Sequence, residues 1–181
     1  MEFLLTADAL TYPEAVEVGL RPSVTEPAGV AGDALLLPAG RWAHRPGVGV
    51  AALPTGGLHE RAATEGWRWR TQPVPATVAA DAADVARIGV EEISAVVLAL
   101  GVRDDGSRPL EVAVERAVRA GGGLRLTGGL PVGYVGAPVF AIRPDQAGEV
   151  GLRCLGVVLP GEDGHPVATF DRIMMDLPAA G

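Results

Sequence analysis

The chain has 181 residues, 48% of them hydrophobic and 20% charged, which is enough apolar material for a core in one domain or in two small packed units. Its net charge of −7 argues against non-specific binding to nucleic acid or to an anionic membrane surface. Its single cysteine excludes an internal disulfide. No apolar stretch has the length of a membrane span, and the first residues lack the basic region of a signal peptide. We therefore expect a cytoplasmic protein without membrane contact.

Glycine and proline interrupt the first half at short intervals, and the apolar segments between them have the length of strands. We predict strands at residues 16–22, 33–38, 48–53 and 66–72. In the last of these, Trp67 and Trp69 alternate with Arg68 and Arg70, which is the pattern of a strand with one buried and one solvated face.

The middle of the chain begins with an ambiguous segment at 80–92, where Asp81 or Asp84 could cap a short helix. The continuous apolar run at 93–102 predicts a buried strand, and Asp105-Gly106 predicts a turn within 103–107.

The segment 109–120 fits two structures. As a helix it would have Ser107 as its cap and Gly121 at its end, and it would form a βαβ unit over 93–127 and therefore an α/β fold. As a strand it would form a hairpin through Gly121-Gly122-Gly123 into 124–127, which its valines favour.

Strands are predicted at 137–142, 150–159 and 166–170, joined by a loop at 143–149 and a turn at 160–165. A final helix is predicted at 171–177, with Asp171 as its cap.

The stretch GLPVGYVGAPVFAI, from Gly129 to Ile142, resembles the nucleophile loop of chymotrypsin-like (trypsin-like) serine proteases, G-x-S-G-[GA]-P-[VL]. The Leu155-Gly156-Val157-Val158 segment, the strand around Val167 and the C-terminal helix then follow in that family's order. The resemblance implies an all-β fold: two packed antiparallel six-stranded β-barrels of trypsin-like type with a short C-terminal helix. The first barrel would span 1–90 and the second 91–181, with 109–120 as a strand.

The same resemblance assigns the three catalytic positions to His44, Asp84 and Val135, and the oxyanion loop to Gly133, Val135 and Gly136. Valine has no nucleophilic group, so the resemblance implies a chain that does not cleave peptides by acyl-enzyme chemistry. From the residues alone, His44 could equally be an ordinary loop histidine, and Asp84 could equally be a helix cap.

Other chemistries have weaker support. The three histidines and Cys154 lack the spacing of metal ligands, so we expect no metal. The glycines at 121–129 match neither the G-K-[ST] motif of a phosphate loop nor the G-x-G-x-x-G motif of a dinucleotide-binding fold, so we expect no cofactor. The segment Leu130–Ala137 is also similar to the P-V-G-F-V-x-A segment of precorrin methylmutases. That likeness implies the alternative α/β fold and an enzyme acting on a small anionic or tetrapyrrole-like substrate.

The leading hypothesis from the sequence is therefore a non-catalytic protease-like module, a pseudoprotease, that binds a partner protein or peptide. The hypothesis is based on the loop that resembles the family's nucleophile loop but has Val135 at the nucleophile position. A third hypothesis is a structural subunit of a larger assembly.

Overall fold

The computed structural model describes residues 2–19, 34–66, 71, 73–88, 93–100, 110–130, 132–144 and 150–176. The elements of the first half are β1 (Phe3–Ala7), β2 (Ala15–Gly19), β3 (Ala34–Pro38), β4 (Ala43–Arg45), β5 (Val50–Pro54), α1 (Gly56–Glu65) and α2 (Ala82–Arg87). Those of the second half are β6 (Ile93–Leu100), β7 (Leu110–Ala120), β8 (Gly123–Leu126), β9 (Pro138–Pro144), β10 (Val150–Val158), β11 (His165–Thr169) and α3 (Phe170–Asp176).

The second half is a curled antiparallel sheet that closes on itself in the order β10-β11-β8-β7-β6-β9. Its strands present small and branched apolar side chains inward, and the fully buried ones include Leu126, Val139, Leu155 and Val158. The α2 helix adds Val85 to this core. The prediction of a β-rich chain with a short C-terminal helix is confirmed.

The segment that fits two structures is a strand. β7 pairs with β6 from Leu110 to Ala117 and with β8 through a two-residue turn, at which Ala120 faces Gly123. Gly121 and Gly122 have φ values of 58° and 81°, and a tight turn of this kind needs positive φ at both positions. The alternative α/β fold with a βαβ unit at 93–127 is therefore wrong, because the connection it needs is extended.

The faces of β7 explain why its sequence was ambiguous. Ala113 and Ala117 pack toward the core, whereas Val112 and Val114 are 56% and 70% exposed on the outer face. Large apolar side chains therefore point outward and small ones inward, opposite to the pattern that normally identifies a half-buried strand.

The first half contains two smaller sheets within the described residues, one ordered β1-β5-β4 and one made of β2 and β3. They share a core that includes Leu37, Trp42 and Leu53, with Leu58 of α1 packed against it. Two six-stranded barrels are therefore not confirmed. The boundary between 90 and 91 lies within a gap in the described residues, so the two-unit division remains a prediction.

A third apolar cluster connects the two halves. Val50 at the start of β5 packs with Val157 of β10, Ala168 of β11 and Ile173 of α3. Between β4 and β5, Gly49 has a φ of 74°, and a Cβ added there would lie 3.0 Å from Leu159, so the backbone of the first half packs closely against the second. This cluster fixes the position of the β4–β5 turn on the barrel.

Four sequence predictions concern positions outside the described residues: the strand core Trp67–Arg70, the end of the first strand at 20–22, the turn at 103–107 and most of the loop at 143–149. The prediction for the last helix needs one correction. The helix begins at Phe170, so Asp171 lies inside its first turn and does not cap it.

Candidate functional site

Four polar side chains near the N-terminus form one group, called here the Asp8 cluster: Asp8, Thr11, Tyr12 and His44. Asp8 directly follows β1, and His44 is the middle residue of β4. Both strands pair with β5, one on each side, which brings the two residues together. The Asp8 N–H also donates to the Gly49 carbonyl at 2.9 Å, which fixes the carboxylate beside the β4–β5 turn.

The hydrogen bonds of the cluster determine the tautomer of the histidine. His44 Nδ1 lies 2.5 Å from Asp8 Oδ1. Because a carboxylate only accepts hydrogen bonds, Nδ1 carries the proton, and the lone pair of the neutral ring is on Nε2. This is the arrangement in which an aspartate orients a histidine for proton transfer.

Two further side chains hold Asp8. The Tyr12 hydroxyl donates to Asp8 Oδ2 at 2.6 Å, and the Thr11 hydroxyl donates to the Asp8 carbonyl at 2.8 Å. The Tyr12 ring stacks on His44, with centroids 4.9 Å apart and an interplanar angle of 18°. The hydrogen bond to Asp8 raises the pKa of Tyr12, since ionising the phenol would lose that bond and place two negative charges together.

The Asp8 cluster has a buried part and a solvent-exposed part. Asp8 and Thr11 are 7% and 0% exposed, whereas Tyr12 is 65% exposed. The side chain of His44 is 32% exposed. The result is a buried carboxylate that holds two aromatic rings in place at the surface.

The Gly129–Ile142 loop packs against the segment that carries this cluster. Gly136 has a φ of 85°, and a Cβ added there would lie 2.4 Å from Thr6 Oγ1 and 3.4 Å from the Ala7 nitrogen. The Gly136 N–H donates to the Val158 carbonyl at 2.9 Å, so it is engaged within the fold rather than free to hold an oxyanion. Gly133 is exposed in a short 3-10 turn, and the half-buried Val135 follows that turn.

Asp84 is not the partner of His44. It lies in the first turn of α2, where Asp81 is the N-cap and the two residues form a capping box: Asp81 Oδ1 accepts from the Asp84 N–H at 2.8 Å. Its carboxylate also lies 3.5 Å from Arg87 and 4.0 Å from Arg153. The structure therefore brings together His44 and Asp8, and it gives Asp84 a helix-capping role.

No described residue supplies a nucleophile where the base needs one. The Thr11 hydroxyl is 3.5 Å from His44 Nδ1, which is the nitrogen that faces Asp8, whereas a nucleophile has to face Nε2. Cys154 is fully buried in β10, and burial raises its thiol pKa to about 12. Neither the Thr11 hydroxyl nor the Cys154 thiol is therefore placed as a nucleophile for His44.

An open cleft of about 570 Å³ lies between the two halves, beside the β4–β5 turn. One wall is that turn, residues 46–49, and the other is the β7–β8 hairpin with parts of β11 and α3. Arg125 and Arg172 are its only charged lining residues among those the structure describes. The cleft has four lining glycines (Gly47, Gly49, Gly121 and Gly123), so much of its surface is backbone.

Sequence reasoning missed Asp8, Thr11 and Tyr12. The signal available was local: an acidic residue directly after the apolar strand FLLTA, followed by a threonine and a tyrosine in the next turn. Its pairing with His44, 36 residues later, depends on β5 lying between the two strands, and no residue pattern states that order.

Within the described ranges, no three or more histidine, cysteine, aspartate or glutamate side chains are grouped so as to hold a metal ion. None of the described helices is long and apolar enough to cross a membrane. In comparisons with known proteins, no family model, no curated sequence and no solved structure matches this chain.

Proposed function

We propose that this chain is a non-catalytic, protease-like module of the cytoplasm that binds a partner protein or peptide through the Asp8 cluster. The observation that carries the proposal is the Asp8–His44 pair, which has the orientation of a proton-transfer pair beside a loop whose nucleophile position is Val135. The resemblance of that loop to the chymotrypsin-like family supports the proposal, as does the closed six-stranded sheet with a helix after its last strand.

The form of the Asp8 cluster supports binding in particular. Tyr12 is an exposed aromatic side chain, and its stacking on His44 and its bond to Asp8 restrict its motion before any partner arrives. An aromatic anchor that is already ordered loses little conformational entropy on binding, and such anchors carry much of the affinity of protein interfaces. Leu10, 42% exposed, adds apolar surface beside it.

The α/β enzyme hypothesis has lost its structural basis, because the βαβ unit on which it depended is a hairpin. The proposal here depends on the Asp8 cluster and on the absence of a nucleophile, and both can be tested separately.

The first test is covalent labelling with a fluorophosphonate probe, read by intact-mass spectrometry. The wild-type chain should gain no mass, because no hydroxyl among the described side chains lies at Nε2 of His44 and Val135 has none. Val135→Ser and the double variant Val135→Ser/His44→Ala are the comparison. Labelling of the wild-type chain at any serine would overturn the non-catalytic part of the proposal.

The second test is selection of binders from a random-peptide display library on the folded chain, followed by affinity measurements with the enriched peptides. Tyr12→Ala should weaken their binding by about tenfold or more, since truncating an anchor residue costs above 1–2 kcal/mol. Met175→Ala is the matched control, because Met175 is also a large exposed side chain, 78% accessible, on α3. Equal affinities of wild type and Tyr12→Ala would contradict the proposed binding surface.

A further inference from the structure

We infer that the cleft between the β4–β5 turn and the β7–β8 hairpin binds an acidic peptide segment, with Arg125 and Arg172 as its carboxylate-binding residues. The inference rests on the proposed function and names the chemistry of the partner. It comes from the charge of the cleft rather than from the Asp8 cluster.

The cleft is cationic in a chain that is otherwise acidic. Its described lining contains two arginines and no aspartate or glutamate, whereas the chain carries a net charge of −7. Neither arginine forms an ion pair with any described residue. Arg125 donates from Nη1 to the Asp163 carbonyl at 2.8 Å, a bond that holds the side chain in place and leaves its positive charge uncompensated.

The remaining wall suits an extended chain. Pro46, Gly47, Val48 and Leu159 give it apolar and backbone surface with little side-chain bulk. A guanidinium group has five N–H donors in a fixed plane, and a carboxylate accepts two of them side by side. Two such groups in the lining of one open cleft therefore match a peptide with more than one carboxylate.

The β4–β5 turn links the cleft to the Asp8 cluster. The β4–β5 turn that forms one wall begins two residues after His44, and its Gly49 carbonyl accepts the Asp8 N–H. The overall negative charge repels an acidic ligand at long range, so any preference for acidic peptides must come from local cations.

The test uses two fluorescein-labelled probes of equal length, an oligoglutamate and an oligoglutamine peptide, measured by fluorescence anisotropy at low salt. The wild-type chain should bind oligoglutamate at least about tenfold more tightly than oligoglutamine. Arg125→Gln/Arg172→Gln should remove that preference, since glutamine keeps much of the side-chain stem but not the charge. Added salt should weaken oligoglutamate binding and leave oligoglutamine unchanged.

The matched control is Arg61→Gln/Arg87→Gln. It changes the net charge by the same amount at two exposed helical positions, in α1 and α2, that do not line the cleft. It should keep the wild-type preference within about twofold. Circular dichroism establishes that each variant is folded, and Arg172→Lys, which keeps the charge but loses the planar group of donors, should retain only part of the preference.

Two results overturn the inference: equal wild-type affinities for the two probes, or an equal loss in the cleft variant and its control. Failure here is distinct from failure of the proposed function. Selected peptides that depend on Tyr12 but are neutral, or insensitive to the cleft variant, would refute the acidic cleft and leave the Tyr12 binding surface standing.

Discussion

Asp8 and Gly136 are each held in place by different contacts, which single substitutions can test separately. Asp8 accepts from both Tyr12, four residues away in sequence, and His44, 36 residues away, while almost fully buried, so its position depends on a local and a long-range contact. Gly136 meets a different requirement: its backbone approaches Thr6 and Ala7 too closely for a side chain. The loop carrying Val135 therefore depends on a glycine for its contact with the first half.

Replacing Gly136 with alanine should lower the free energy of unfolding by about 2 kcal/mol, because the new Cβ would be strained at a φ of 85° and would contact Thr6. Gly133→Ala in the same loop is the control, since a Cβ there meets nothing within 4 Å. Urea unfolding followed by circular dichroism measures both. A Gly136→Ala protein as stable as Gly133→Ala would show that the loop does not pack on the first half.

Cys154 makes a pH-dependent contribution whose sign follows from its burial. Folding raises its thiol pKa from 9.0 to about 12, so the folded state holds the proton more strongly. This contribution is fully present below about pH 9 and is lost as the pH rises toward about 12, by at most about 1.4 kcal/mol per pH unit. Cys154→Ala should lose less stability than wild type between those pH values in urea titrations. An identical slope would contradict the burial of the thiol.

Helices and strands differ in how well the sequence foretold them. The strands β6, β9, β10 and β11 were predictable, because they are short apolar runs between turn residues. β7 was not, since its residues also fit a helix, and only the turn at Gly121-Gly122 marked its hairpin. Helix α1 was missed because Gly56 and Gly57 begin it, and no side chain caps it. The sequence feature that could have indicated the helix is the glycine at its end: Gly66 adopts a φ of 70°, and its N–H donates to the carbonyls of Ala62 and Ala63.

The Asp8 cluster could not be predicted for a related reason. A residue pattern predicts that β1 and β4 are strands more readily than it predicts their order in a sheet. Only that order places Asp8 against His44. The same limit applied to Asp84, which the sequence offered either as a catalytic position or as a helix cap and whose spacing from Asp81 fits a capping box. The hydrogen bonds of the capping box between Asp81 and Asp84 show that this segment begins a helix.

Asp81→Ala should destabilise the chain by about 1 kcal/mol, since it removes the side-chain acceptor for the Asp84 N–H in the first turn of α2. Asp81→Ser keeps an acceptor and should remain close to wild type in thermal unfolding. Equal losses from both variants would argue against the capping box. Neither variant should change peptide affinity, because α2 contributes no residue to the Asp8 cluster or to the lining of the cleft.

The molecule as a whole is connected through the cluster around Ile173. That side chain is 1% exposed and packs with Val50 of the first half and Val157 of the second. The β4–β5 turn, and with it one wall of the cleft, depends on this contact. We therefore expect the two halves to unfold together rather than as independent units.

Ile173→Ala should cost about 3 kcal/mol and shift the unfolding of both halves. In a background with Trp67 and Trp69 replaced by phenylalanine, Trp42 is the remaining one of the three tryptophans, and its emission reports on the first half. Its urea transition should coincide with that of circular dichroism, and both should move. Met174→Ala, at a site 63% exposed, is the control. A Trp42 transition that stays in place would refute the coupling.

The closed sheet also determines how a partner can be held in the cleft. β8 already has β7 and β11 as neighbours, and β11 already has β8 and β10, so these two described strands beside the cleft leave no free partner for a peptide that adds by backbone bonds. Recognition on that side must come from side chains and shape. A partner segment should then tolerate proline or N-methylated amides that would abolish binding to a protein that captures its ligands by strand addition.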